Sequence, residues 1–228
     1  MVVVSFEHAF IFIKTTKTAG TSVEVELSQR IEPGAIVTPI IPAEAGHEPR
    51  NYLNAAGEIA FFNHMRADLV RKRLGSERFA SMYRFTIERE PVDKCLSHFH
   101  MLKNRDDAHG LPPEEREALT WERYVETGTF PIDTPKYTDP DAPDRLLVDR
   151  VLAYETLAEE LAWVMAARGL GGFALQAQAK SDYRTRQLLT RDEVTDAQRR
   201  VIYTAFKNTV KVTGLYRERA ERSLGGTA

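Results

Sequence analysis

Short apolar runs that give way to polar, helix-opening residues set the rhythm of this chain. Ala9–Ile13 (AFIFI) is uninterrupted by any polar side chain, the form of a strand covered on both faces. A second run, Tyr83–Ile87 (YRFTI), and a third, Asp149–Tyr154 (DRVLAY), have strand character as well. Each is followed by a helix signal. After the second comes Glu90-Pro91, with proline suited to a first helical position, and then the amphipathic VDKCLSHFHML. After the third, Thr156-Leu157-Ala158-Glu159 has capping-box spacing and leads into EELAWVMAARGL, which should end near Gly169 or Gly171. Strand followed by helix, three times over, predicts an α/β architecture of three layers: a largely parallel central sheet with helices on both faces.

Two stretches break the rhythm. Residues 31–62 open with Pro33, Pro39, Pro42 and Pro49, and residues 106–145 hold six of the eleven prolines, with a short helix expected around Glu114–Glu126. Irregular segments of this kind carry substrate choice more often than core packing. Near the end, Asp196 should open a helix that runs through AQRRVIYTAFKNTVKV and stops at Gly214.

Composition narrows the class of protein. The 228 residues, 43% of them hydrophobic, suit one domain spanning 1–228 with a packed core. The formal charge of −2 gives no global attraction to nucleic acid or an anionic membrane, so no nucleic-acid partner is expected. Locally the picture differs, since residues 64–105 carry ten Lys/Arg against five Asp/Glu while residues 106–160 carry five against fifteen. A single cysteine, Cys95, makes an intramolecular disulfide impossible, and no apolar run approaches the length of a membrane span. The opening Met1–Val4 is too brief for a signal peptide, so a soluble cytoplasmic protein without integral membrane association is expected.

Candidate chemistry begins where the first strand stops, at Lys14-Thr15-Thr16-Lys17-Thr18-Ala19-Gly20-Thr21-Ser22. A strand that opens through small residues into a helix leaves unpaired N–H groups at the positive end of the helix dipole, where anions bind. Ala19 and Gly20 allow close approach of the backbone; Thr18, Thr21 and Ser22 offer hydroxyls; Lys17 adds a mobile positive charge. The nucleotide-triphosphate loop G-x-x-x-x-G-K-[ST] differs, because here the lysine precedes the glycine.

The stretch IFIKTTKTAGTS resembles the 5′-phosphosulfate loop of sulfotransferases that use 3′-phosphoadenosine 5′-phosphosulfate, in particular the carbohydrate-type and related bacterial enzymes. Their loop commonly reads P-K-T-G-G-T-S after an apolar strand; Thr16 stands here for the proline and Ala19 for the first glycine. The second strand and helix, YRFTIEREPVDKCLSHFHM, resemble the family's 3′-phosphate segment, with Glu90 in place of its usual asparagine. The resemblance implies a nucleotide fold like that of P-loop proteins, binding of the donor by Lys17, Thr18, Ala19, Gly20, Thr21, Ser22, Arg89 and Ser97, and release of adenosine 3′,5′-bisphosphate. The chemistry agrees: an arginine fork grips two phosphate oxygens at once and a serine adds a further donor.

On the same resemblance the reaction is sulfuryl transfer to a hydroxyl or amine of a glycan, lipid or small metabolite. Lys17 neutralises charge on the leaving phosphate without a metal, and His64, in FFNHM, serves as the base that takes the acceptor's proton. Glu58 is the reserve base, and Lys180, Ser181, Tyr183 and Arg184 either close over the nucleotide or form a solvated turn. Lys14 either adds potential at the loop or is simply exposed. Two other functions stay open: a nucleotide-dependent kinase or phosphotransferase, and a non-catalytic nucleotide-binding module on the same fold.

Overall fold

The computed structural model describes residues 2–105, 110–175 and 188–225. In chain order the elements are β1 (Val2–Ser5), β2 (Phe10–Ile13), α1 (Gly20–Arg30), β3 (Ile36–Val37), α2 (Ala67–Leu74), α3 (Ser76–Ser81), β4 (Tyr83–Glu88) and α4 (Pro91–Asn104). There follow α5 (Pro113–Ala118), α6 (Trp121–Thr127), α7 (Thr134–Tyr137), β5 (Thr138–Asp139), β6 (Ala142–Leu146), β7 (Arg150–Ala153) and α8 (Leu157–Ala167). The last are α9 (Asp196–Ala205), α10 (Lys207–Thr213) and α11 (Arg217–Leu224). The chain divides into two compact units, one of residues 1–88 and 133–179, the other of residues 89–132 and 180–228.

The first unit is α/β. Its five-stranded sheet has the order β3-β1-β2-β4-β7, and the expected largely parallel sheet is in fact mixed. β2 pairs with β4 and β4 with β7 in parallel, whereas β1 runs antiparallel to both β2 and β3. The reason lies in connection length. Only Phe6–Ala9 separate β1 from β2, enough for a hairpin and far too little for the crossover that parallel neighbours require. β2 to β4 and β4 to β7 have long connections and take the parallel form.

One face of this sheet carries the alternate residues Val3, Phe10, Phe12, Phe85, Ile87 and Leu152, which pack with Val23 and Leu27 of α1 and with Leu161, Val164 and Met165 of α8. Phe12 and Phe85 stack with their centroids 5.1 Å apart. Full burial of side chains of this size contributes roughly 1.5–3 kcal/mol each, and it anchors both ends of the loop that joins β2 to α1. Thr156 is the N-cap of α8 as expected, but the capping box does not form: the Thr156 hydroxyl donates to Glu160 Oε1.

The second unit is helical among its described residues. Val92, Cys95, Leu96 and Phe99 form the apolar stripe of α4, in one cluster with Trp121, Tyr124 and Val125 of α6, Ile202 and Tyr203 of α9, and Phe206 between α9 and α10. The spacing of that stripe is the helical period read from VDKCLSHFHML. The expected short helix at 114–126 is two helices, α5 and α6, and the expected run from Asp196 to Gly214 breaks at Phe206 into α9 and α10. Thr195 and Gln198 form a true capping box for α9, and left-handed Gly214 ends α10. No described helix is long and apolar enough to cross a membrane.

Candidate functional site

In the first unit, β2 ends at Ile13 and α1 begins at Gly20, so the connecting loop is residues 14–19. Two of its non-glycine residues are left-handed, Lys17 at φ 62° and Ala19 at φ 59°. Each such residue costs on the order of 1–2 kcal/mol, and left-handed residues of this kind in a turn are what anion-binding backbone nests are built from. Ala19 is the N-cap and has no side chain to bond the first-turn N–H groups of α1. That is the arrangement an anion requires of a backbone cradle.

Side chains brace the loop from beneath. The Thr15 hydroxyl donates to the Ile87 carbonyl of β4, and Thr15 Oγ1 lies 2.8 Å from Thr18 Oγ1. Thr18 is fully buried and its hydroxyl is turned into the loop, where it donates to the Thr15 carbonyl at 3.3 Å, and is not the exposed donor expected from the sequence. Lys14, open between exposure and a place at the loop mouth on sequence grounds, is buried: Nζ donates to Thr21 Oγ1 and to Glu24 Oε2, each at 2.9 Å. Because Lys14 only donates, Thr21 Oγ1 is the acceptor there, and the Thr21 hydroxyl keeps its own hydrogen to give away. Gly20 makes room for this pair, since a Cβ at Gly20 would stand 2.7 Å from Lys14 Cγ. Ser22 is buried in the first turn, and Lys17 is half-buried.

The mouth of the loop is clamped by residues far along the chain. Asp133, buried at the start of α7, accepts from Thr16 N–H at 2.6 Å and from the Thr16 hydroxyl at 3.1 Å. It also pairs with Lys136, whose Nζ reaches Thr16 Oγ1 at 3.2 Å and His64 Nδ1 at 3.4 Å. His64, itself left-handed at φ 57°, is thereby tied to the loop through Lys136 and Thr16. Burial, reinforced by the positive charges of the N-terminal amine, Lys136 and Lys14 and opposed by Asp133, lowers its pKa to about 2. Glu58 lies on an exposed turn and accepts from Asn54 Nδ2 at 2.8 Å.

Sequence reasoning missed Asp133 and Lys136. The motif Asp133-Thr134-Pro135 reads as a helix start, and nothing local to it points across 117 residues to Thr16.

In the second unit, Arg89 and Ser97 are both half-buried, Arg89 immediately before α4 and Ser97 within it. Glu90, which stands where the resembling enzymes carry asparagine, is fully buried and caps α4 by accepting from Asp93 N–H at 2.8 Å. It also accepts from Arg191 Nη1 at 2.7 Å and from the Tyr203 hydroxyl. Burial works to raise its pKa and is outweighed by those donors, so the carboxyl stays below its ordinary value. Glu90 is thus a structural hub of this unit. His98 meets the Tyr124 hydroxyl, and His100 Nε2 accepts from the N–H groups of Leu188 and Leu189. Burial raises the pKa of the Cys95 thiol, which makes it a poor nucleophile. Lys180, Ser181, Tyr183 and Arg184 lie outside the described residues.

The groups assembled in the first unit fit a phosphate or sulfonate anion: left-handed backbone at a helix start, a hydroxyl with a hydrogen to give, and Lys17 in the loop itself. No family model matches the chain. It is 31% identical over 106 residues to an uncharacterized protein of Archaeoglobus fulgidus, the match covering 46% of this chain and 83% of that protein.

Proposed function

We propose, for a chain that belongs to one family with this archaeal protein, that the β2–α1 loop is the 5′-phosphosulfate cradle of a sulfotransferase on a three-layer, P-loop-like nucleotide fold. The donor, 3′-phosphoadenosine 5′-phosphosulfate, supplies the sulfonate that passes to a hydroxyl or amine acceptor. The observation that carries the reading is the pair of left-handed residues Lys17 and Ala19 immediately before α1, within a sequence of the phosphosulfate-loop type. Left-handed residues are costly for side chains other than glycine, and an anion cradle is one arrangement that uses them.

In this reading the N–H groups at Gly20–Ser22 hold the 5′-phosphate and the Thr21 hydroxyl adds a donor. Lys17 neutralises the charge that develops on the leaving phosphate oxygen, an electrostatic role that needs positioning and no metal. Arg89 and Ser97 take the 3′-phosphate by their motif, and His64 stands at the transfer centre. The acceptor is a glycan, lipid or small metabolite recognised by residues within 31–62 and 106–145.

Calorimetry with adenosine 3′,5′-bisphosphate tests the reading directly. Binding without magnesium is expected, and Lys17→Ala should weaken it by roughly tenfold or more, the loss of one hydrogen bond between charged groups. Transfer of labelled sulfate from the donor to pooled acceptors, abolished by the same substitution, separates an enzyme from a non-catalytic module. Binding of ATP that depends on magnesium, with no response to the bisphosphate, would replace this reading by the phosphotransferase one.

A further inference from the structure

We infer that Lys136 locks His64 in the tautomer that carries its hydrogen on Nε2, so that His64 serves the bound donor as a neutral hydrogen-bond donor and not as the base. The tautomer stands on geometry alone; the role toward the donor rests on the sulfotransferase reading above.

An ammonium group has three hydrogens to give and no lone pair. Lys136 Nζ faces three acceptors: Asp133 Oδ1, Thr16 Oγ1 at 3.2 Å and His64 Nδ1 at 3.4 Å. The Thr16 hydroxyl spends its own hydrogen on Asp133 Oδ1 at 3.1 Å, which leaves its oxygen to accept from Lys136. Nδ1 of His64 must then accept as well, because a hydrogen placed there would point at a cation. A neutral imidazole has one N–H, and it falls on Nε2, the nitrogen on the far side of the ring.

The surroundings also resist the imidazolium form. The N-terminal amine, Lys136 and Lys14 are positive, and the opposing charge of Asp133 is engaged by Lys136 and by both donors of Thr16. The pKa of about 2 that results from burial and these charges lies far below the range in which a general base works at neutral pH. The nitrogen remote from Lys136 already holds a hydrogen, so no lone pair is left there to take a proton. A hydrogen bond from Nε2 to a sulfonate oxygen is within its means.

The reaction balances without a histidine base. The acceptor oxygen bonds to sulfur while the bond from sulfur to the leaving phosphate oxygen breaks, its electron pair staying on the phosphate. The acceptor oxygen, made acidic by its bond to sulfur, releases its proton to water. His64 keeps its own, and Lys136 is a positioning residue.

Nitrogen-detected NMR of the full chain labelled at histidine reads the tautomer without any substitution. The expected result is a protonated Nε2 and a bare Nδ1, unchanged between about pH 5 and 9, where an ordinary histidine titrates. A hydrogen on Nδ1, or an ordinary titration near neutral pH, overturns the inference and leaves the sulfotransferase reading standing. Lys136→Met should release the lock and yield a mixture of tautomers; an unchanged spectrum from that folded variant also overturns it.

Calorimetry with two probes reads the role. His64→Ala should weaken binding of 3′-phosphoadenosine 5′-phosphosulfate by about tenfold and leave adenosine 3′,5′-bisphosphate unaffected. His64→Gln, which keeps an N–H at the same reach, should restore most of the loss. Equal affinity of the alanine variant for the sulfated donor overturns the donor role. Failure of the unsubstituted protein to bind either nucleotide overturns that role together with the function it rests on, while the tautomer is still decided by NMR.

Discussion

Ala19 shows how a small departure from a familiar loop acquires a physical meaning. It sits at φ 59°, a conformation that costs an alanine what it does not cost a glycine, and the resembling loops carry glycine there. Ala19→Gly should therefore raise stability by about 0.5–1 kcal/mol in urea unfolding, and leave bisphosphate affinity within about twofold, since the backbone shape is kept. Asp133 is the opposite case, a residue whose importance no local pattern announces. It is 2% exposed, receives both donors of Thr16 and holds Lys136. Asp133→Asn leaves Lys136 without its counter-charge and should cost about 1–3 kcal/mol; the double variant with Lys136→Met should recover part of that loss. The order of Lys17, Gly20 and the hydroxyls around them, on which the proposed anion loop rests, was legible in the sequence. The inward turn of the Thr18 hydroxyl and the burial of Lys14 against Glu24 were not, because each depends on groups brought up by folding.

Among the elements, α1 depends on its first residue more than its sequence suggests. Gly20 is where the aliphatic stem of Lys14 passes beneath the helix, 2.7 Å from the place a Cβ would occupy. Gly20→Ala gains helix propensity of about 1 kcal/mol, yet it must push Lys14 off Thr21 and Glu24. The net expectation is a loss of about 1–3 kcal/mol in chemical denaturation, accompanied by weaker bisphosphate binding as Thr21 loses its orientation. β2, β4 and β7 were legible as apolar or β-rich runs, and α4 was legible from Pro91 at its first turn and the stripe Val92, Cys95, Leu96, Phe99. β1 and the two-residue β3 were not. Val2–Ser5 reads only as a brief apolar opening until the short hairpin folds it against β2, and that hairpin is what makes the sheet mixed. The break at Phe206 has a tertiary setting too, since that side chain is buried among α4, α6 and α9.

For the whole molecule, acid stability follows from carboxylates that the first unit holds ionised. Glu32 accepts from the Ser5 hydroxyl and from the N–H groups of Phe6 and Glu7, which outweigh the upward push of burial. Asp68 is lowered by its hydrogen bonds from Arg66, and Asp149 by those from Arg84 against the effect of burial. A carboxyl whose pKa is lower in the folded state contributes stability above its ordinary value and loses it as the pH falls through the folded one. The urea midpoint should accordingly hold from neutral pH down to the ordinary values of 4.5 for Glu32 and 3.8 for the two aspartates, then fall. Glu32→Gln should flatten part of that fall and leave the Lys17 loop unchanged. The chain by itself determined the strand-to-helix rhythm, the apolar faces and the order of residues in the Lys17 loop, because periodicity, propensity and turn chemistry act over a few neighbours. Strand direction at β1, the clamp of Asp133 and Lys136 on Thr16, and the protonation of His64 were decided only in the folded protein. Each depends on groups distant in sequence, whose charge and desolvation act on one another only after the chain has brought them within a few ångströms.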